Sequence, residues 1–359
     1  MKNKIVVLIA IVLIFGAGVL PSISANTKLK NSFSPLTKGD IYVDDDFNES
    51  TPGWNVTHFN KIQDGIDAAV NFDNVYVYNG TYNENIRIGT LIQEKKITLI
   101  GEDRDSTIIL GVPGEDAVVT VLSSDVEMNG FTVDGNSNEL DGIRVTELKQ
   151  DIVLTNNKIV DCARGILLLL TTKRVEISDS IILNSEVVGI ELQESDQNDI
   201  INNDVLENKV GIQLTAASVQ NSIEGNIVSN NNLEGITIGA LSTDNTLVGN
   251  NITDNQIGIK LSASSQNIIE SNNIQDNDME GLLLTTLSNN NIIEKNNFIE
   301  NKKNAVYKAS KRNTWDENYW DDWIGLKIPI FQIFPKVIRG GIIFRLNFDR
   351  NPMLEPYVI

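Results

Sequence analysis

The feature that most constrains this chain is a glycine that returns about every 23 residues. Gly142, Gly165, Gly189, Gly211, Gly235, Gly258 and Gly281 are separated by steps of 23, 24, 22, 24, 23 and 23 residues. An apolar–x–apolar triplet follows, as in Ile143/Val145, Ile190/Leu192, Ile212/Leu214, Ile236/Ile238 and Ile259/Leu261. Such period-two alternation is the pattern of a strand with one buried face. The same beat places a second strand around Ile200, Ile223, Leu247, Ile269 and Ile293, and a third around Val205, Ile227, Ile252, Ile274 and Phe298. Self-similarity at this period marks a solenoid. Leucine-rich repeats share the length but need a Leu-x-x-Leu-x-Leu frame, and helical repeats need a 3.6-residue apolar period; both are missing.

Asn fills 45 of the 359 positions and keeps the same beat. One series runs Asn156, Asn203, Asn226, Asn250, Asn272 and Asn296, with Asp179 in the skipped place; another runs Asp161, Asn184, Asn208, Asn230, Asn255, Asn277 and Asn301. Asn tolerates left-handed backbone and bonds its own turn. Stacked once per turn, its amide can also form a ladder. Three short strands and three bends per unit predict an all-β parallel β-helix of about 9–10 coils, each roughly 23 residues long.

Both ends of such a stack need covers. Upstream, Phe59, Ile62, Ile66 and Val70 share one helical face, with Thr57 or His58 as first residues, which predicts a short capping helix. Downstream, Trp315, Tyr319, Trp320 and Trp323 crowd together where the repeats stop and predict an aromatic cap. The division expected is a signal peptide over 1–25, a linker over 26–40, an N-terminal cap with first irregular coils over 41–116, regular repeats over 117–304, and an aromatic cap and tail over 305–359. The signal peptide rests on Lys2 and Lys4, the apolar run Ile5–Leu20 and the small residues Ser22 to Ala25. It implies a secreted, cell-surface or periplasmic protein, touching a membrane only through that segment if it is not cleaved. Asn48, Asn55, Asn79 and Asn251 stand in glycosylation sequons.

Charge and rare residues narrow the chemistry. A formal charge of -19 disfavours nucleic acid, since phosphate binding needs a Lys/Arg surplus, and favours a soluble monomer through self-repulsion. One Cys and one His exclude an intramolecular disulfide, multi-Cys metal sites and His-rich centres. The outward positions of the first strand are Arg144, Leu167, Glu191, Gln213, Thr237, Lys260 and Leu283, with a single acid among them. On the second strand Glu270 and Glu294 fall on adjacent coils, at a spacing open to a retaining glycosidase pair, with Lys295 beside them. They are the candidate catalytic residues, although a solvated polar face has the same pattern. Asp134, Asn136 and Asn138 begin like a calcium loop but lack its later ligands, leaving an irregular calcium site or an ordinary turn; Asp44-Asp45-Asp46 is a second acidic run. Trp315, Tyr319 and Trp320 are candidate sugar-stacking residues if exposed.

The repeat, the opening segment Val75–Tyr82 and the closing run Asn313 to Asp322 resemble right-handed parallel β-helix proteins of the NosD type, within the pectin-lyase-like fold, over roughly residues 41–359. Right-handed winding is what the resemblance implies. It also implies copper handling, but His58, Cys162, Met128, Met279 and Met353 show no spacing suited to a shared site, so copper is not expected. The fold's polygalacturonase-like members use a Gly-His-Gly motif that this chain lacks. The resulting expectation is a non-catalytic scaffold or binding protein, with polysaccharide or envelope components as partners and no required cofactor. The alternative is a polysaccharide lyase or glycoside hydrolase working in a groove along the solenoid.

Overall fold

The computed structural model describes residues 39–137, 139–323, 335–340 and 347–359. The proposed signal peptide and most of the linker lie outside these residues. The chain from Lys38 onward is one unit and winds as a parallel β-solenoid of about 11 turns. Each turn crosses three faces. In one coil these are Ile257–Ser262 on face 1, Ile268–Glu270 on face 2 and Asn273–Gln275 on face 3. Among the described residues the strands pair in parallel from coil to coil, so Ile236 meets Ile259 and then Leu282 on face 1, while the last two strands, Lys336–Gly340 and Asn347–Asp349, also pair antiparallel with each other.

The coil count exceeds the 9–10 read from the sequence because winding begins at Asp40–Val43. In the early coils Asn74, Thr98, Glu127, Val153 and Glu176 stand in register at steps of 24, 29, 26 and 23 residues. Longer bends hide the period there while the strands remain.

Alternation gives each face an inward column. Face 2 stacks Ile177, Ile200, Ile223, Leu247, Ile269, Ile293 and Trp315. Face 3 stacks Ile182, Val205, Val228, Ile252, Ile274, Phe298 and Trp320. The sequence reading put Ile227 in this column; Val228 fills it, and Ile227 is 43% exposed. Both candidates are β-branched and adjacent, so composition alone did not separate them, whereas a one-residue slip reverses the buried face.

The marker glycines form a steric column. A Cβ on Gly258 would sit 2.6 Å from the carbonyl oxygen of Gly281 and 3.0 Å from Ile274 Cγ2. Successive coils therefore press backbone against backbone at the start of the face 1 strands, and only a missing side chain permits it.

The bends are held by buried amides. Asn203, Asn226, Asn250, Asn272, Asn296 and Asn318 are each fully buried. From Asn203 to Asn296, each donates both its backbone N–H and its side-chain N–H to the Oδ1 of the next, at 2.9–3.0 Å. Two parallel ladders run Asn208–Asn231–Asn255–Asn277–Asn301 and Asn198–Asn221–Asn245–Asn267–Asn291–Asn313. The residue before each rung takes the left-handed conformation: Asn202, Gly225, Gly249, Ser271, Lys295 and Glu317 have φ between 53° and 65°. This corrects five positions of the sequence series. Asn156, Asp161, Asp179, Asn184 and Asn230 are left-handed bend residues, and the inward residues are their neighbours Asn157, Cys162, Ser180, Ser185 and Asn231.

The capping helix is Ile62–Ala68, so Thr57 and His58 are not its first residues. His58–Phe59 instead pairs with the first strand. Lys61 provides no side-chain cap. Glu84, from the solenoid, accepts the N–H groups of Ile62 (2.7 Å) and Gln63 (3.0 Å). Lys95 donates to the carbonyls of Ile66, Asp67 and Ala69 at the other end. The helix is thus pinned at both termini by groups of opposite charge, each matching the helix dipole. Glu84→Ala should cost about 1 kcal/mol. Faster amide exchange confined to 62–68 is expected, with the central repeats unchanged, because each coil contacts only its neighbours.

Candidate functional site

The charged side chains of face 1 come in neutralising sets. Arg144 pairs with Asp141 (2.7 Å) and Asp116 (2.9 Å), and Arg164 lies 3.2 Å from Asp141 and 2.8 Å from Glu191. Farther along, Lys260 holds Glu234 at 2.6 Å and Lys303 holds Glu280 at 2.8 Å. The outward column from Arg144 to Leu283 is in register as read from the sequence, and Glu191 is flanked by Leu167 and Gln213. Asp141, Glu234 and Glu280 were missed. Each immediately precedes a marker glycine, which is the signal that could have found them.

Glu270 and Glu294 are register neighbours on face 2. Lys295 Nζ lies 2.8 Å from Glu270 and 3.9 Å from Glu294. The hydrogen bond from Lys295 to Glu270 raises the pKa of that amine. The two carboxylates share one ammonium.

The tail aromatics sit inside. Trp315 is 3% and Trp320 1% exposed, and Trp320 stacks on Phe298 with centroids 4.3 Å apart. Their ring faces close the inward columns and offer no platform to a sugar, which removes the reason for proposing them as stacking residues. Tyr319 is half-buried beside them. Asp349 Oδ2 accepts from Asn318 N (3.1 Å), Asn318 Nδ2 (3.0 Å) and Trp320 Nε1 (2.9 Å).

Asp134 Oδ1 accepts the N–H of Asn136 at 2.8 Å, and Asn136 Nδ2 donates to the Gly111 carbonyl. These contacts make an ordinary polar turn. Asn138 lies outside the described residues. Among the described residues, Asp44, Asp45 and Asp46 are the one group of three His, Cys, Asp or Glu donors close enough to share an ion.

One site was not read from the sequence. The strands Asp40–Val43 and Asn74–Val77 alternate inward Ile or Val with outward Tyr. Their Tyr42 and Tyr76 stand in register and stack with centroids 5.7 Å apart, and His58 stacks on the other side of Tyr42 at 5.1 Å. The next position in register is Ile100. There the stack stops and a cavity of about 250 Å³ opens, lined by Tyr42, Tyr76, Tyr78, Ile100, Asp40 and Glu102. The signal was present in Tyr42, Tyr76 and Tyr78 at alternate positions, but strand patterning drew attention to the valines between them.

The sequence model of the right-handed β-helix region matches residues 22–205 and 104–252. The chain belongs to the right-handed β-helix family. Residues 217–325 also match the model of the periplasmic copper-binding protein NosD. No curated protein sequence matches the chain. Among solved structures it resembles the A-module of the Azotobacter vinelandii mannuronan C-5 epimerase AlgE6, at 18% identity over 72% of this chain and 88% of that one (TM-score 0.57). It also resembles the Dettilon tailspike protein, at 18% identity over 77% of this chain and 62% of that one (TM-score 0.61). A third is DFA-IIIase from Arthrobacter chlorophenolicus A6 without its lid, at 12% identity over 77% and 94% (TM-score 0.59). At these identities the likeness shows a β-helix fold shared with saccharide-active enzymes and a tailspike.

The residues of this family member do not fit a copper site. Cys162 is sealed in the core and burial pushes its thiol up to about 12, so it is no thiolate ligand at neutral pH. Met128 is fully buried on an early coil, His58 belongs to the aromatic stack, and Met353 pairs with the last turn at Tyr319. These soft donors sit on different coils and do not converge. Among the described residues, no helix is long and apolar enough to cross a membrane.

Proposed function

We propose that this right-handed β-helix is an exported binding or scaffolding protein that holds polysaccharide or envelope components without turning them over. One observation carries this reading: the face 1 acids Asp141, Glu191, Glu234 and Glu280, and the face 2 pair Glu270 and Glu294, are bound up with Lys or Arg. Glycoside cleavage needs a carboxylic acid with a raised pKa and a second carboxylate free to act. Glu270 and Glu294, register neighbours at a suitable spacing, are bridged by Lys295. Glu176 and Asp199 are register neighbours as well, and burial raises the pKa of Asp199, so Asp199→Asn belongs in the same test. Export is supported by the basic and apolar amino-terminal sequence and by the periplasmic description of NosD.

The test incubates the purified protein with a panel of neutral and acidic polysaccharides and follows binding together with new reducing ends and unsaturated products. Binding without product is expected. Product that disappears in Glu270→Gln, Glu294→Gln or Asp199→Asn would overturn the reading in favour of a hydrolase or lyase.

A further inference from the structure

We infer that the cavity over Ile100 binds one pyranose unit of an uncharged glycan, with Tyr76 as its stacking platform. This deepens the binding function proposed above and rests on it. His58, Tyr42 and Tyr76 form a continuous stack along successive strands, with planes tilted by 26° and 18°. Tyr42 covers one face of Tyr76, and the register places Ile100 on the other side. A flat ring laid over Ile100 therefore takes the next place in the stack. The cavity at that place, about 250 Å³, falls below the roughly 300–1,000 Å³ of pockets for drug-sized ligands. It suits a single six-membered ring.

The rim selects the kind of ring. Asp40 and Glu102 both line the cavity, and each uses one oxygen locally: Asp40 Oδ1 accepts from Asn74 Nδ2, and Glu102 Oε2 accepts from the N–H of Asn79. The second oxygen of each is an acceptor for hydroxyl donors. An apolar side chain would leave those carboxylates desolvated and unpaired. A uronate or phosphate would meet two like charges on a chain of formal charge -19. A neutral pyranose presents C–H groups to the aromatic face and hydroxyls to the rim, which answers both requirements.

Isothermal titration of the purified protein with neutral gluco-, manno- and xylo-oligosaccharides, with oligogalacturonate and with polylysine tests the site. At least one neutral oligosaccharide should bind wild type, and Tyr76→Ala should weaken it about tenfold or more. Ile100→Trp, which places a protein ring in the cavity and leaves the rest of the stack intact, should abolish binding while thermal stability is kept. Neutral glycan bound equally by wild type and both variants would sink this site and leave the binding function standing. Oligogalacturonate bound in preference, or polylysine bound in a Tyr76-dependent way, would overturn the assignment of ligand class. If none of the glycans, neutral or acidic, binds wild type, the polysaccharide-binding reading fails together with the site.

Discussion

Asn250→Ala should destabilise the solenoid by about 3–5 kcal/mol, read as a lower urea midpoint with an unchanged slope. Oδ1 of Asn250 accepts from both the backbone and side-chain nitrogens of Asn226, and its own Nδ2 donates to the Ile223 carbonyl at 2.8 Å. Truncation leaves the Asn226 N–H and that carbonyl without these partners in a fully buried bend. Each orphaned buried group costs about 1–3 kcal/mol. Gly249, just before it, has φ 65°, a conformation the rung holds in place. Asn250→Asp removes the donor and adds a charge. It keeps the acceptor but buries a charge and loses the outgoing bond, so it should be destabilised as well. A change below 1 kcal/mol for Asn250→Ala would mean that the ladders contribute little.

Asp349→Ala should cost about 2–5 kcal/mol at the carboxyl-terminal end, because the Asn318 and Trp320 N–H groups lose their shared acceptor. Asp349→Asn removes the charge and keeps an acceptor for Asn318 and Trp320, at the loss of the bond from Asn351 N to Oδ1 (3.1 Å). Burial raises the pKa of Asp349 above its ordinary 3.8, against the pull of its donors in Trp320 and Asn318. The folded state thus prefers the protonated acid. That preference contributes stability fully below about pH 3.8, and the contribution is lost as pH rises through the folded value. At pH 7 the Asn variant should equal or exceed wild type, and its advantage should shrink on acidification. An advantage that grew as pH fell would mean that the donors, not burial, set the charge state.

The repeat made the architecture legible because one physical constraint writes itself many times. Gly258 is needed where two backbones touch, and the same contact recurs on each coil, so a single period exposes the column. The finer register was harder. At each bend a left-handed residue and an inward amide stand side by side, and Asn suits both places. Asn156 and Asn157 are consecutive, and only the direction of the side chain tells them apart. The capping helix was misplaced for a different reason. Its start is fixed by Glu84, 22 residues downstream of Ile62, and no local pattern contains that contact. Asp349 was invisible likewise, being 31 residues beyond the rung it completes.

The candidate sites divide along the same line. Glu270 and Glu294 were placed on adjacent coils from spacing alone, and the register agrees. What spacing could not give was the position of Lys295 between them. Trp315 and Trp320 were read as a cap and as candidate sugar contacts; their burial supports the cap. The cavity beside Tyr76 went unread because it is defined by what ends there, a stack of rings giving way to Ile100.

The amide ladders all donate in one direction, from each coil to the one after it. The amide-to-amide bonds thus give each ladder a direction toward the carboxyl end, while the other N–H of each amide returns to a carbonyl of the preceding coil. Asp349 meets that end with an acceptor that passes no such bond onward, so it works as a chain terminator. A duplicated unit spliced between two rungs would find an acceptor ahead and a donor behind. The same unit appended after Asn318 would have to displace a carboxylate first, which makes interior duplication the easy route for such a protein to lengthen.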